Sequence, residues 1–159
     1  RETLRRTLTP FDLRNPDSVV DNFLNMIAQP DIAAALSRAA YPAEADVVVK
    51  REHPFALRLD DTLVTGLFDR LVLIRDPTGR TTHAEVLDYK TDRVDADDAA
   101  ALDQLISRYR PQLETYRDAA ARLYNISRSQ VKTKLVLLSP AKVVTLAPAQ
   151  NDKYPLPNA

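Results

Sequence analysis

The chain of 159 residues contains no cysteine, only two glycines and two histidines, and carries no net charge at neutral pH. The absence of cysteine excludes disulfides, thiolate-held zinc and iron–sulfur clusters. No run of 18 apolar residues occurs, so no membrane-spanning helix is expected. The opening RETLRRTLTPF lacks the apolar core of a signal peptide and a starting Met, and the expectation is a fragment or processed chain of the cytoplasm. With the net charge at zero, bulk electrostatics name no partner. Glycine is scarce enough that Gly66 and Gly79 each call for an explanation.

What is present is ordinary for one folded domain. The apolar fraction of 45% and charged fraction of 28% place the chain among globular proteins, and its length suffices for a sizeable core. The charges are unevenly spread. Glu85, Asp88, Asp92, Asp95, Asp97, Asp98 and Asp103 form an acidic stretch, and Arg108, Arg110, Arg117, Arg122, Arg128, Lys132 and Lys134 a basic one. Two readings fit: a cation site beside an anion-binding face, or solvated helix faces, which charge alone favours.

Hydrophobic periodicity gives the element order. Val19, Val20, Phe23, Leu24 and Ile27 recur at helical spacing over Asp17–Gln29, and Pro30 stops that helix. Asp31 caps a second helix over Ile32–Ala40. The period then changes to that of strands: one through Val47-Val48-Val49 and Phe55-x-Leu57-x-Leu59, one over Leu63–Ile74 with Leu67, Leu71 and Leu73 in one register, and one over Ala84–Lys90. Asp76-Pro77-Thr78-Gly79 has the residues of a type I turn, so the second and third strands form an antiparallel hairpin. Asp98–Tyr124 is helical, with Pro111 opening a separate helix whose apolar stripe is Leu113, Tyr116, Ala120 and Leu123. Lys134–Leu138 and Lys142–Leu146 complete the order as strands, the first buried on both faces. The expected fold is an α/β mixed sheet flanked by helices in a single domain, 1–159. Its expected parts are N-terminal helices in 1–45, a three-stranded meander in 46–95, a helix in 96–125 and closing strands in 132–147.

Two apolar strands each carry an aspartate, Asp69 and, nineteen residues later, Asp88, with Lys90 two positions beyond. Strand alternation puts Asp88 and Lys90 on one face, and the hairpin brings Asp69 toward them. Two carboxylates are hard oxygen ligands suited to Mg²⁺ or Mn²⁺, and a lysine beside them offsets charge on a phosphate. That set can hydrolyse a phosphodiester. The competing reading is a cross-strand ion pair, with Asp69 matched to Arg70 or a neighbour.

Four stretches occur in order along the chain: Arg51-Glu52-His53-Pro54-Phe55, Gly66-Leu67-Phe68-Asp69-Arg70, Leu87-Asp88-Tyr89-Lys90-Thr91-Asp92, and Tyr109-x-x-Gln112-Leu113-x-x-Tyr116. Together they resemble the PD-(D/E)XK nuclease superfamily, and within it the C-terminal nuclease domain of RecB/AddA-type helicase–nucleases. The resemblance covers roughly Ser18–Leu146 and implies the restriction-endonuclease-like fold. It implies a Mg²⁺- or Mn²⁺-dependent deoxyribonuclease, without an iron–sulfur cluster, that processes double-strand breaks by cutting single-stranded DNA. The DNA would be delivered by a helicase domain of the parent chain working with a partner subunit in the bacterial cytoplasm. Asp69, Asp88 and Lys90 would be catalytic, with Asp69, Asp88, the Tyr89 carbonyl and Glu52 as metal ligands. Gln112, Tyr116, Tyr109, Arg110, Arg117 and Lys132 would contact nucleic acid or support the site. Gly66 would permit close backbone approach or a bulge beside it. Relatives carry a His-bearing helix upstream, and Arg1–Ala45 contains no histidine. That departure keeps a second class of function open, a catalytically silent module that binds DNA or a partner.

Overall fold

The structure, a computed structural model, describes residues 16–59 and 61–148; the opening segment Arg1–Phe11 discussed above lies outside them. Helix α1 spans Pro16–Ile27 and buries Val20. Helix α2 spans Pro30–Leu36, so Pro30 opens the second helix as well as ending the first. Proline fits a first helical turn because its missing N–H has no intrahelical partner to lose. Asp31 therefore lies within that turn instead of capping it, and α2 stops at Leu36, with a 3-10 turn over Arg38–Ala40.

Five strands follow: β1 Asp46–Leu59, β2 Thr62–Arg75, β3 Thr81–Lys90, β4 Val131–Leu137 and β5 Lys142–Leu146. They form one sheet in sequence order, with β3 central. Neighbours are antiparallel except β3 and β4, which are parallel and joined by helix α3, Ala99–Tyr124. The β2–β3 hairpin closes at Asp76–Gly79, where the Gly79 amide donates to the Asp76 carbonyl at 2.9 Å. Gly79 has φ of +83°, which glycine adopts without a Cβ penalty.

Helix α3 packs on one sheet face, where Leu71, Leu73, Val86 and Val131 meet Ala119, Ala120 and Ala121. The short N-terminal helices cover the other, where Ile32, Ala35 and Tyr41 meet Val72, Leu87 and Val136. Each large aliphatic side chain buried this way stabilises the fold by about 1.5–3 kcal/mol. Asp98 caps α3 by accepting from the Ala101 amide at 3.0 Å, and Asn125 ends it in the left-handed conformation. Pro111 lies inside this one helix and does not start a second. Leu105 before it and Leu113 after it both pack against β4 and β5, which holds the two halves in one continuous helix. Leu123, expected in the stripe, is 42% exposed, and its burial is taken up by Ala119 and Ala121.

A second departure positions the site. On β2, Phe68 faces α3, but so do Leu71 and Leu73, while Leu67 is 40% exposed. On β1, Phe55 and Leu57 face α3, and so does Val48. Odd and even positions exchange faces at Glu52 on β1 and at Asp69 on β2. These two positions lie opposite one another, between the pairs Arg51↔Arg70 and His53↔Phe68. Glu52 has φ of +46°, a left-handed backbone that is costly for a side chain with a Cβ. A strict period of two therefore placed Leu67 on the wrong face.

Beyond the switch, the hairpin arm carries Phe55 directly across from Gly66. The Phe55 ring stacks on Phe68 at 4.5 Å and meets Tyr116 of α3 edge-on at 5.8 Å. A Cβ at Gly66 would sit 2.5 Å from the Phe55 ring, so this glycine makes room for an aromatic ring, in place of the backbone approach or bulge expected from sequence. Among the described residues no helix is long and apolar enough to cross a membrane. Gly66→Ala is expected to destabilise the chain by about 1–3 kcal/mol, the usual cost of overpacking. Urea unfolding should show it, and the double variant Gly66→Ala/Phe55→Leu should lose less than the two single losses added, because the clash is then gone.

Candidate active site

Strand β3 ends in Asp88-Tyr89-Lys90. Alternation puts Asp88 and Lys90 toward α3, where Gln112 and Tyr109 meet them, and sends Tyr89 to the other face beside Leu87 and Val136. Strands β2 and β3 part at this end, with Arg70↔Leu87 the last ladder pair. The next pair would set Asp69 against Asp88. Instead Asp69 Oδ2 accepts from the Tyr89 backbone N–H at 2.8 Å. A side chain thus replaces a ladder rung and pins one carboxylate against the peptide unit that joins Asp88 to Tyr89.

Asp88 is 2% exposed. Its Oδ2 has the Lys90 ammonium 2.7 Å away, and its Oδ1 accepts from Gln112 Nε2 at 3.3 Å. The same Gln112 amide donates to the Tyr116 hydroxyl at 2.8 Å, and Tyr116 is wedged against Phe55 and Phe68. Burial pushes the Asp88 carboxyl above its ordinary pKa; Lys90 opposes this, and the Asp69 charge adds to it. Burial pulls the Lys90 ammonium down, but contact with Asp88 outweighs it and raises the pKa, so Lys90 is a cation at neutral pH. The pair is a buried ion pair whose anion sits beside a second anion.

The donor set fits a hard divalent cation. Asp88 Oδ2 has its ion-pair contact but no hydrogen bond of good angle, so a buried carboxylate oxygen retains coordinating capacity. Asp69 takes the Tyr89 N–H, and in an extended strand the C=O of a residue points to the same edge as its N–H, so the Tyr89 carbonyl faces the Asp69 side. Two carboxylates and a carbonyl, with water for the remainder, are what Mg²⁺ accepts. Among the described residues no third His, Cys, Asp or Glu joins them. Glu52, expected as a further ligand, is exposed, and its charge is felt by the Tyr89 ring on the far face.

The supporting residues separate into two groups. Tyr109, Gln112 and Tyr116 share the α3 face over the pair, as their spacing predicted. Arg110 is exposed on the same helix. Arg117, expected to contact nucleic acid, is fully buried: it donates to Thr133 Oγ1 and the Leu146 carbonyl, both at 2.6 Å, and pairs with Glu114 at 3.0 Å. No phosphate reaches it there. Lys132 is exposed but pairs in register with Glu85 on the sheet face opposite α3, away from Asp88. Lys134 is spent on Glu85 at 2.9 Å, and Arg128 on Glu114 at 2.6 Å. One residue of the site had no role assigned from sequence. Asp92 accepts from the Tyr109 hydroxyl at 2.8 Å and pairs with Arg108 at 3.2 Å. Its signal was the shared even spacing with Asp88 and Lys90.

Arg117→Leu is expected to cost about 3–5 kcal/mol, because it leaves two buried acceptors, Thr133 Oγ1 and the Leu146 carbonyl, without a donor and removes one of the two cations that hold Glu114. Chemical denaturation measures this loss.

The mixed five-stranded sheet with helices on both faces is the α/β architecture of restriction-endonuclease-like proteins. No curated protein matches the sequence. A model of the PD-(D/E)XK nuclease superfamily matches residues 10–155, which includes Asp69, Asp88, Lys90, Gln112 and Tyr116. The acidic pair, the lysine two residues on and a match over nearly the whole length agree, and the chain belongs to the PD-(D/E)XK nuclease superfamily.

Proposed function

We propose that this chain is a metal-dependent deoxyribonuclease that hydrolyses phosphodiester bonds at the Asp69–Asp88–Lys90 cluster. The observation that supports this most is the burial of Asp88 against both Lys90 and the Asp69-bound peptide unit. Placing an ion pair and a second carboxylate at one strand end opposes stability, since buried charges that are imperfectly paired cost several kcal/mol. Such clusters of perturbed groups are characteristic of sites that do chemistry.

In this reading Asp69, Asp88 and the Tyr89 carbonyl hold Mg²⁺ or Mn²⁺. Bound there, the cation supplies Lewis acidity toward a phosphate oxygen and lowers the pKa of a coordinated water. The protein's own groups do the rest. Lys90 brings a fixed positive charge to the place where negative charge grows on the phosphate. Gln112 orients the Asp88 carboxylate, and Tyr116 orients Gln112. Arg110, exposed on α3, meets the phosphate backbone.

The substrate in this proposal is single-stranded DNA delivered by a helicase motor of the parent chain, with a partner subunit, during double-strand-break processing in a bacterial cytoplasm. Its support is the likeness of the four ordered motifs to the RecB/AddA-type nuclease domain. Asp88→Asn and Lys90→Ala should each lower the rate of single-stranded DNA cleavage in Mg²⁺ by about 10²–10³-fold, with circular dichroism unchanged. A wild-type chain that binds DNA but cuts it no faster than these variants, in Mg²⁺ or Mn²⁺, would establish the silent binding module instead. Arg110→Ala should also reduce the slope of log affinity against log salt by ~1, the contribution of one phosphate contact, while Lys132→Ala leaves it in place.

A further inference from the structure

We infer that Tyr109, anchored through its hydroxyl by Asp92, is a positioning residue for Lys90: an aromatic plate that keeps the ammonium at the site when a cation takes over the Asp88 carboxylate. The inference rests on the nuclease reading for what Lys90 does there. The contact itself stands on separate geometry.

Among the described residues Lys90 Nζ meets Asp88 Oδ2 at 2.7 Å and the face of the Tyr109 ring, 4.6 Å to its centroid. The ring is fixed. Its hydroxyl donates to Asp92 Oδ2 at 2.8 Å, and the other Asp92 oxygen is held by Arg108 at 3.2 Å. The Arg108 guanidinium also lies 5.9 Å from the ring centroid. A phenol that donates to a carboxylate gains electron density, and a richer ring face attracts a cation more strongly.

The need for such a plate follows from charge. With a divalent cation held by Asp69 and Asp88, Lys90 would lose the carboxylate that now holds it and would face a second positive charge. Lysine has a flexible four-carbon stem and would swing away without a second partner. An aromatic face holds the ammonium without neutralising it and without offering a ligand oxygen to the metal. Lys90 can then exchange Asp88 for a phosphate oxygen while its stem stays in place. The alternative use of Tyr109, as a surface on which a base stacks, competes with the lysine for the ring face.

Two measurements separate these uses. The first is the ring-current shift of the Lys90 side-chain methylene protons by NMR, assigned by its loss in Lys90→Gln. These protons should resonate upfield in the wild-type chain and in Tyr109→Phe, return to ordinary positions in Tyr109→Leu, and stay upfield when Mg²⁺ is added. The second is steady-state cleavage of single-stranded DNA. Tyr109→Leu should lower kcat about tenfold with KM nearly unchanged, while Tyr109→Phe and Asp92→Asn, which keep the ring but free it, should lose only ~2–3-fold. Methylene signals that ignore Tyr109→Leu, or that lose their upfield shift on adding Mg²⁺, overturn the inference. A rise in KM with kcat intact assigns Tyr109 to base stacking and overturns it as well. If the wild-type chain cuts no faster than Lys90→Ala, the nuclease reading fails, and the NMR result decides the Lys90–Tyr109 contact on its own.

Discussion

A carboxylate buried at the end of the central strand governs the arrangement of this molecule. Asp88, 2% exposed, needs a counter-charge and a donor that the strand cannot supply from its own backbone. Lys90 supplies the charge because two positions along a strand return to the same face. Gln112 supplies the donor, and Gln112 is itself held by Tyr116, Tyr116 by the Phe55 and Phe68 rings, and Phe55 by the space that Gly66 leaves open. The four motifs that stand apart in the sequence are one chain of contacts in space. A defect at its far end, in the hairpin arm, would reach Asp88 through three side chains, those of Phe55, Tyr116 and Gln112.

The second carboxylate arrives by a different device. In a regular hairpin Asp69 would stand in the ladder opposite Asp88, and its side chain would follow the alternation of its strand. The paired change of phase at Glu52 and Asp69 ends the ladder at Arg70↔Leu87 and frees Asp69 to cap the Tyr89 amide. The positive φ at Glu52 is local strain, borne where the sheet must open at its functional end. The same change lets one continuous hairpin serve two purposes. Its lower half packs between the helices, and its upper half sends Phe55 and Phe68 up to the Gln112–Tyr116 step of α3.

Charge in the second half of the chain is mostly structural. Arg117, Arg128 and Glu114 tie α3 to β4, β5 and the preceding turn, and Lys134 and Tyr41 close on Glu85 under the sheet. A row of cations in the sequence is thereby divided between the core, the far face and the site. Among the basic residues described, Lys90 is the one in contact with the acidic pair, and Arg110 is left exposed on α3.

Much of this was legible from residue order. Helical and strand periods located α1, α3 and all five strands, the Asp-Pro-Thr-Gly turn set the β2–β3 hairpin, and the even spacing of Asp88 and Lys90 put them on one face. These are local properties, fixed by backbone geometry over a few residues. What the sequence alone left undecided depended on distant partners. Pro111 was absorbed into α3 because packing on both sides of it outweighs one missing hydrogen bond. Leu67 turned outward because the strand changed phase, which no period of two can foresee. Arg117 went to the core because Glu114, Thr133 and Leu146 converge on it from three elements, and the roles of Gly66 and Asp92 appeared only with the rings of Phe55 and Tyr109 in place. Periodicity determined which residues form strands and helices and which share a face; only the packing of those elements decided which charges are buried, which are paired, and which remain at the site.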